Sequence, residues 1–486
     1  MSIIPYIVKF FRGGISDESD KGIQGSFKYG YQLDIHGKDD VLKAGSAMAV
    51  VDSTTTNDLI NFFVTARDGT TYAFGNAGSV YAIAGDINDP AFNFVYNDEN
   101  GEIKGAAEWK ESDGNNYLYW ATSTSVARRL LNGSPAVPWG AGEATQDYKT
   151  TLDATRWHTM GQAAGNLYIA NGENLAEITY AGAFDPAAVN IRPGNQISSL
   201  EERDDNVILG SERLDGAEKG HVWRWDTTST NYNQKRKIPV KGVNALIQTE
   251  LFLLQGGNEG EIFFSDFINA TPVHAVPGGG QVNPGGVEIE DDLAVFGIYG
   301  SGISYPGIWS FGRRNRNRPL TFNHQYRISA TNNGSGVSSI GALGIVDGKL
   351  IASWGTTDGS TSDYGIDIVS ATTRATGVYE GLEFDASQPH VKKTFQKVKV
   401  VCAPLESGTS FSIKFKLDKE STWRYAVLAS GSTTFSEANQ TEAVFLIGKP
   451  GQTYEVGAEL NPSGSSTPEI HSIVTYVEGA PQTIYG

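Results

Sequence analysis

A pair of short apolar strands joined by a tight turn recurs along most of this chain, and a unit of that kind cannot bury both faces of its sheet alone. The leading strands are Phe62-Phe63-Val64, Tyr117-Leu118-Tyr119-Trp120, Leu167-Tyr168-Ile169, Val207-Ile208-Leu209, Leu251-Phe252-Leu253-Leu254, Leu293-Ala294-Val295-Phe296 and Leu350-Ile351-Ala352. Their starts are 55, 50, 40, 44, 42 and 57 residues apart, the size of a four-stranded blade. Each is followed by a second strand, such as Thr71-Tyr72-Ala73-Phe74, His221-Val222-Trp223-Arg224-Trp225 or Gly307-Ile308-Trp309-Ser310-Phe311. These alternate or run apolar over four to five positions, which is strand behaviour and not the 3.6 period of a helix. Turns such as Asp68-Gly69, Asp113-Gly114, Gly165-Asn166 and Asp347-Gly348 supply residues that tolerate positive φ.

Units of this size must stack around an axis and close on themselves. The expected fold is all-β: a β-propeller of about seven blades over residues 46–380, an N-terminal arm and first strand over 1–45, and a jelly-roll-like β-sandwich over 381–486. In the last region Ser410-Phe411-Ser412-Ile413-Lys414-Phe415-Lys416 alternates strictly, as a half-buried antiparallel strand does. Closure predicts that residues near 46–75 pair beside residues near 345–380. The Gly220-His221 and Trp225-Asp226 pairs occur once and only a few residues apart, unlike a WD repeat.

Composition narrows the function classes. The net charge of −17 disfavours specific nucleic-acid binding and attraction to anionic membranes, and no apolar run approaches a membrane span. The lone Cys402 excludes an intrachain disulfide framework and any multi-thiolate metal site. Met1 to Phe10 lacks the basic start of a signal peptide, so the expectation is a chain made in a reducing cytoplasm and not exported.

No HExxH, CxxC, P-loop or GxSxG elbow is present, and no catalytic residue, metal ligand or cofactor is expected. The loop Asn97–Glu102 is acidic enough for calcium, but counting back from Gly101 puts Tyr96 at the first ligand position and the register fails. Asp34 and His36, read as alternate positions of one strand, would face the same side. The acid pairs Asp204-Asp205 and Asp291-Asp292 read as turn entries. The dense basic cluster is Arg313, Arg314, Arg316 and Arg318, read as a solvated loop or an interface patch. Trp423, Tyr425 and Tyr454 are candidates for stacking on a sugar or for subunit contact.

The opening Phe11-Arg12-Gly13-Gly14-Ile15-Ser16-Asp17, with Gly25-Ser26-Phe27-Lys28-Tyr29-Gly30, Leu33-Asp34-Ile35-His36 and Val41-Leu42-Lys43, resembles the start of propeller-containing virion proteins of tailed bacteriophages. Glu261-Ile262-Phe263-Phe264-Ser265-Asp266 with Asn269-Ala270-Thr271-Pro272 is similar to a phrase of their blades. The resemblance implies a structural subunit of a phage tail (nozzle, hub or baseplate), located in the virion and acting in host attachment or genome delivery. Its implied partners are copies of itself in a symmetric ring, other tail proteins and a host surface glycan. The alternatives from other classes are a polysaccharide-acting propeller hydrolase or lyase, and a carbohydrate-binding lectin.

Overall fold

The computed structural model describes residues 3–16, 25–37, 40–52, 58–85, 90–131, 139–140, 142–215, 220–249, 252–257, 259–265, 269–300, 305–314, 317–332, 337–358, 361–386 and 390–478. Among these the chain is all-β apart from one helical turn, Ser329–Asn332. It divides into two compact units, one of Ala49–Ile308 and Ile328–Ile368, the other of Met1–Met48, Trp309–Arg327 and Val369–Gly486. That division departs from the expected boundaries, because residues 1–45 are not an arm that stands apart. Ile3–Val8 pairs antiparallel with Ile470–Glu478, from Ile3 opposite Glu478 to Val8 opposite Ile473. Ser26–Tyr31 likewise pairs with Gly377–Gly381. The amides of these segments are spent on ladders within their own chain, which satisfies their backbone groups.

Among the described residues, five sheets of the larger unit are each built from four consecutive strands. The first runs Ile60–Thr65, Thr71–Gly75, Ser79–Ala84 and Ala91–Asn97, each antiparallel to the next. Sheets of the same order cover 105–149, 160–190, 195–238 and 245–275. A hairpin of Val287–Glu290 and Leu293–Ile298 follows. The last sheet, of Val337–Val346, Lys349–Asp358 and Thr361–Arg374, takes its fourth strand from the start of the chain, Ser46–Asp52. The closing strand is thus 46–52, while Ile60–Thr65 opens the neighbouring sheet.

The leading strands of successive sheets lie against one another. Ile60–Thr65 neighbours Gly105–Lys110, and the series continues through Met160–Ala163, Asn195–Arg203, Ala245–Gln248, Val287–Glu290 and Val337–Val346, which lies back against Ile60–Thr65. The arrangement is β-propeller-like. At the closing contact a Cβ on Gly341 would stand 2.0 Å from the Ile60 carbonyl oxygen, so only glycine permits this approach.

Second and third strands such as Asn116–Ala121 and Gly220–Trp225 are covered on both faces, which explains their continuous apolar runs. Tyr119 and Trp120 are adjacent on one strand and point to opposite faces. Trp120 packs with Tyr72 and Phe74 of the preceding sheet, and Tyr119 with Ile169 and Ile178 of the following one. Trp223 joins Tyr168 and Leu209, while its neighbour Val222 joins Phe263. Burying each large side chain in this way contributes about 2 kcal/mol. The paired aspartates make the tight hairpins: Asp204 (φ 52°) with Asp205 (φ 61°), and Asp291 (φ 47°) with Asp292 (φ 68°), hold the two left-handed positions that two-residue turns require.

The smaller unit contains two sheets. One has the order Ile3–Val8, Ile470–Glu478, Lys393–Cys402, Glu442–Gly451, Val427–Leu428. The other includes Thr321–Tyr326, Ser26–Tyr31, Gly377–Gly381, Tyr454–Asn461 and Ser410–Leu417 in that order. Rings from both sheets meet: Phe395 stacks on Tyr454 at 4.7 Å, and Phe411 lies 6.0 Å from Phe445.

Candidate functional site

The outer half of the sheet 195–238 carries a cluster of cations that stands out in a chain of net charge −17. Gly220–Trp225 pairs with Gln234–Ile238 so that His221 lies opposite Lys237 and Trp223 opposite Lys235. Alternation along the two strands places these four side chains on one face. The Trp223 ring is fully buried, its Nε1–H donating to Ser211 Oγ at 2.8 Å. Lys235 Nζ lies 4.4 Å from the centre of that ring, and Tyr232 meets it edge to face at 4.6 Å. The Arg192 guanidinium lies 5.8 Å from the Tyr232 ring. Arg213, at the end of Asn206–Arg213, is held by Asp215 through Nε–H donating to Oδ1 at 3.0 Å.

His221 is only 7% exposed, and its Nδ1 has no hydrogen-bond partner. Burial, and then the charges of Lys235, Arg213, Lys237 and Arg192, depress its pKa to about 4. Lys235 is lowered too, by burial and by Arg192 and Arg213. These cations repel one another, and among the described residues Arg192, Lys235 and Lys237 have no ion-pair partner. Arg236 points to the opposite face and, with Lys235, Lys237 and Ala270, lines an open cleft of about 500 Å³. Cations, an imidazole and an aromatic ring on one surface are groups that can hold an anion.

In the sequence, Lys235-Arg236-Lys237 is as dense a basic run as Arg313 to Arg318, but it gives no sign of the residues that join it. That signal is three-dimensional, since Arg213 and His221 join through strand pairing and Arg192 reaches the Tyr232 ring from a loop. The expected basic residues lie in the smaller unit. Arg318 donates to the Gly37 carbonyl, and Arg313 donates to the Arg318 carbonyl at 3.5 Å. Arg314 and Arg318 bear on His36, which burial and then Arg314 push down to about 4. Arg316 lies outside the described residues. This cluster bears on His36 and Gly37; nearby, Asp40 pairs with Arg12 and Asp34 lies 3.4 Å from Lys43. Asp34 and His36 are not alternate positions of a strand; the chain bends there, and the Asp34 carboxylate serves Lys43.

Trp423 is half-buried beneath Lys414 and Lys416, 4.8 and 4.7 Å from its ring. Tyr425 is exposed and donates to Glu459 Oε2 at 2.9 Å. Tyr454, expected at the surface, is instead 1% exposed in the core. In the Asn97–Glu102 loop, Asp98 is 1% exposed and accepts from Trp120 Nε1 at 2.7 Å and Gln146 Nε2 at 3.0 Å, so its oxygens serve the packing of the sheets. Among the described residues, no three of His, Cys, Asp and Glu stand together as metal ligands.

A second ionic cluster is internally satisfied. Glu111 accepts from Arg128 and from the Tyr119 hydroxyl, and the Arg128 guanidinium lies 4.4 Å from the Tyr117 ring and 3.8 Å from the Tyr148 ring. With every partner supplied from within, it braces the region between the sheets 105–149 and 160–190.

No family model and no curated protein matches this chain. Among solved structures it is similar to the WD40 β-propeller domain of Doa1, at 10% identity and TM-score 0.44 over 66% of this chain and 97% of that one. It is also similar to U3-55K, at 12% identity and TM-score 0.45 over 67% of this chain and 100% of that one. The computationally designed Ika8 protein matches at 12% identity and TM-score 0.38 over 65% of this chain and 87% of that one. At these values the likeness says nothing of activity or partners.

Proposed function

We propose that this chain is a non-catalytic structural protein of a tailed-phage virion, a nozzle, hub or baseplate component that assembles in a ring and acts in host attachment or genome delivery. Its larger unit is a seven-bladed β-propeller and its smaller unit a β-sandwich. The observation that carries the architectural part is the closed series of leading strands, in which Val337–Val346 returns to Ile60–Thr65. Seven such strands take part, and closing them into a disc packs the inner parts of the sheets against one another, as a rigid assembly component requires. The particle assignment draws its support from the phrases at Phe11–Gly30 and Glu261–Pro272.

A polysaccharide-cleaving propeller would bring acids from several blades together across a cleft. The acid pairs at 204–205 and 291–292 are occupied in forming turns. The Glu201 and Glu288 carboxylates, from the leading strands of two different sheets, do bear on each other, so the polysaccharide assay decides between the two readings. The lectin alternative draws on the cationic face of the sheet 195–238 and on exposed Tyr425. The test is native mass measurement and negative-stain microscopy of the purified protein, together with incubation on capsular polysaccharide. A cyclic oligomer that leaves the polymer intact is expected. A stable monomer that shortens the polymer would overturn the proposal.

A further inference from the structure

The cations of the sheet 195–238 fall into two groups. Lys235, Arg236 and Lys237 lie on the outermost strand, where basic residues also serve to block pairing with another chain. Edge protection does not account for Arg192, Arg213 and His221, which come from other segments and converge on the same face. Nor does it account for a buried imidazole nitrogen left without a partner while four cations face it. Desolvating a polar atom in a positive field is costly unless an anion completes the site.

We propose that this face seats an acidic oligosaccharide, with carboxylates held by Arg192, Lys235 and Lys237, a hydrogen bond to His221 Nδ1, and a sugar ring against half-buried Tyr232. The inference rests on reading the protein as one that binds rather than cleaves. Lys235 and Lys237 are two residues apart on one strand, about 6.8 Å, a spacing suited to charges on successive sugars. Nucleic acid fits less well. It carries a charge about every 3.4 Å along each strand, and the chain's net charge of −17 opposes a polyanion that dense. A uronate chain is sparser in charge and offers apolar ring faces to an aromatic side chain.

The site makes a distinctive prediction for His221. Among the described residues, the charges that bear on it are Lys235 and Lys237 on the outer strand, Arg192 from the preceding segment, and Arg213 on the second strand, which is itself paired with Asp215. An anion seated among them relieves that field, so the imidazole binds a proton more readily in the complex.

The experiment uses the full chain with galacturonate oligomers as probe, read by calorimetry and by the ¹³C-histidine spectrum. Wild type is expected to bind and to show the His221 pKa rising from about 4. The double variant Lys235→Glu/Lys237→Glu is expected to weaken binding about tenfold or more, while Lys110→Glu, exposed on another sheet, leaves it unchanged. If the double variant does not fold, Arg192→Gln at an exposed position replaces it. The proposal is overturned if the oligomers do not bind, if the variants bind as wild type does, if neutral galactose oligomers bind equally well, or if a thymidine oligomer binds more tightly. Native mass of the same samples keeps the two questions apart: loss of binding with the ring intact bears on this surface alone, and a monomer that still binds bears on the tail assignment alone.

Discussion

The backbone amide of Ile60 donates to the side-chain oxygen of Ser353 at 2.9 Å, across 293 positions of sequence. The bond is buried and joins the sheet that opens the larger unit to the sheet that completes it. Ser353→Ala leaves a buried amide unpaired and is expected to cost about 1–3 kcal/mol. Gly341→Val, which drives a side chain into the Ile60 carbonyl, is expected to cost more. Urea unfolding checks both, and a midpoint unchanged by either variant would show that the closing contact is not formed.

Arg128 and Glu111 are both mostly buried, with side-chain exposures of 21% and 11%. Removing one partner strands the other, so Glu111→Ala is expected to destabilise by about 2–4 kcal/mol. Arg128→Met keeps the packing between Tyr117 and Tyr148 but leaves Glu111 without its cation, and is expected to cost a similar amount. The double variant should cost less than the sum of the two. Thermal unfolding of the four proteins measures this coupling.

Glu201, on the leading strand Asn195–Arg203, has its pKa raised to about 7 by burial, with the Glu202 and Glu288 carboxylates adding to the rise. The folded chain therefore holds a proton that the unfolded chain releases. The resulting stability is fully present below the ordinary glutamate value of 4.5 and is lost as pH rises through about 7. The melting temperature is expected to fall by a few degrees between about pH 6 and about pH 8. Glu201→Gln removes this group's titration and should flatten that slope.

Trp423 and Tyr425 were expected to mark a contact surface, and their surroundings differ. Tyr425→Ala alters an exposed side chain whose hydroxyl bond to Glu459 is itself exposed, so the change in stability is expected to stay within about 0.5 kcal/mol. Trp423→Ala removes the ring that two lysine chains cover and is expected to cost more. Melting temperatures of the two variants give the comparison.

The repeat was legible in the sequence because strands covered on both faces read as apolar runs, as Leu167–Ile169 and Leu350–Ala352 do. Those phrases are the second and third strands of their sheets. In the first sheet the leading strand is also apolar, so Phe62 to Val64 resembles a second strand although it belongs to the first. Counting from Tyr72 on the second strand instead, the interval to Tyr117 is 45 residues, close to those that follow. The long final interval contains Trp309–Arg327, which belongs to the smaller unit. No local pattern announces that residues 3–8 pair with 470–478, because such a partnership is a matter of register between distant strands. The cationic face was hidden for the same reason, its charges being assembled from three separated stretches of chain.

The central claim is that the larger unit is one closed ring of seven sheets. A density map of the protein in which individual strands are separated, with sheets counted around the axis, tests it most directly. Seven sheets with Val337–Val346 beside Ile60–Thr65 are expected. An open stack, a different number of sheets, or those two strands on opposite sides of the unit would contradict it.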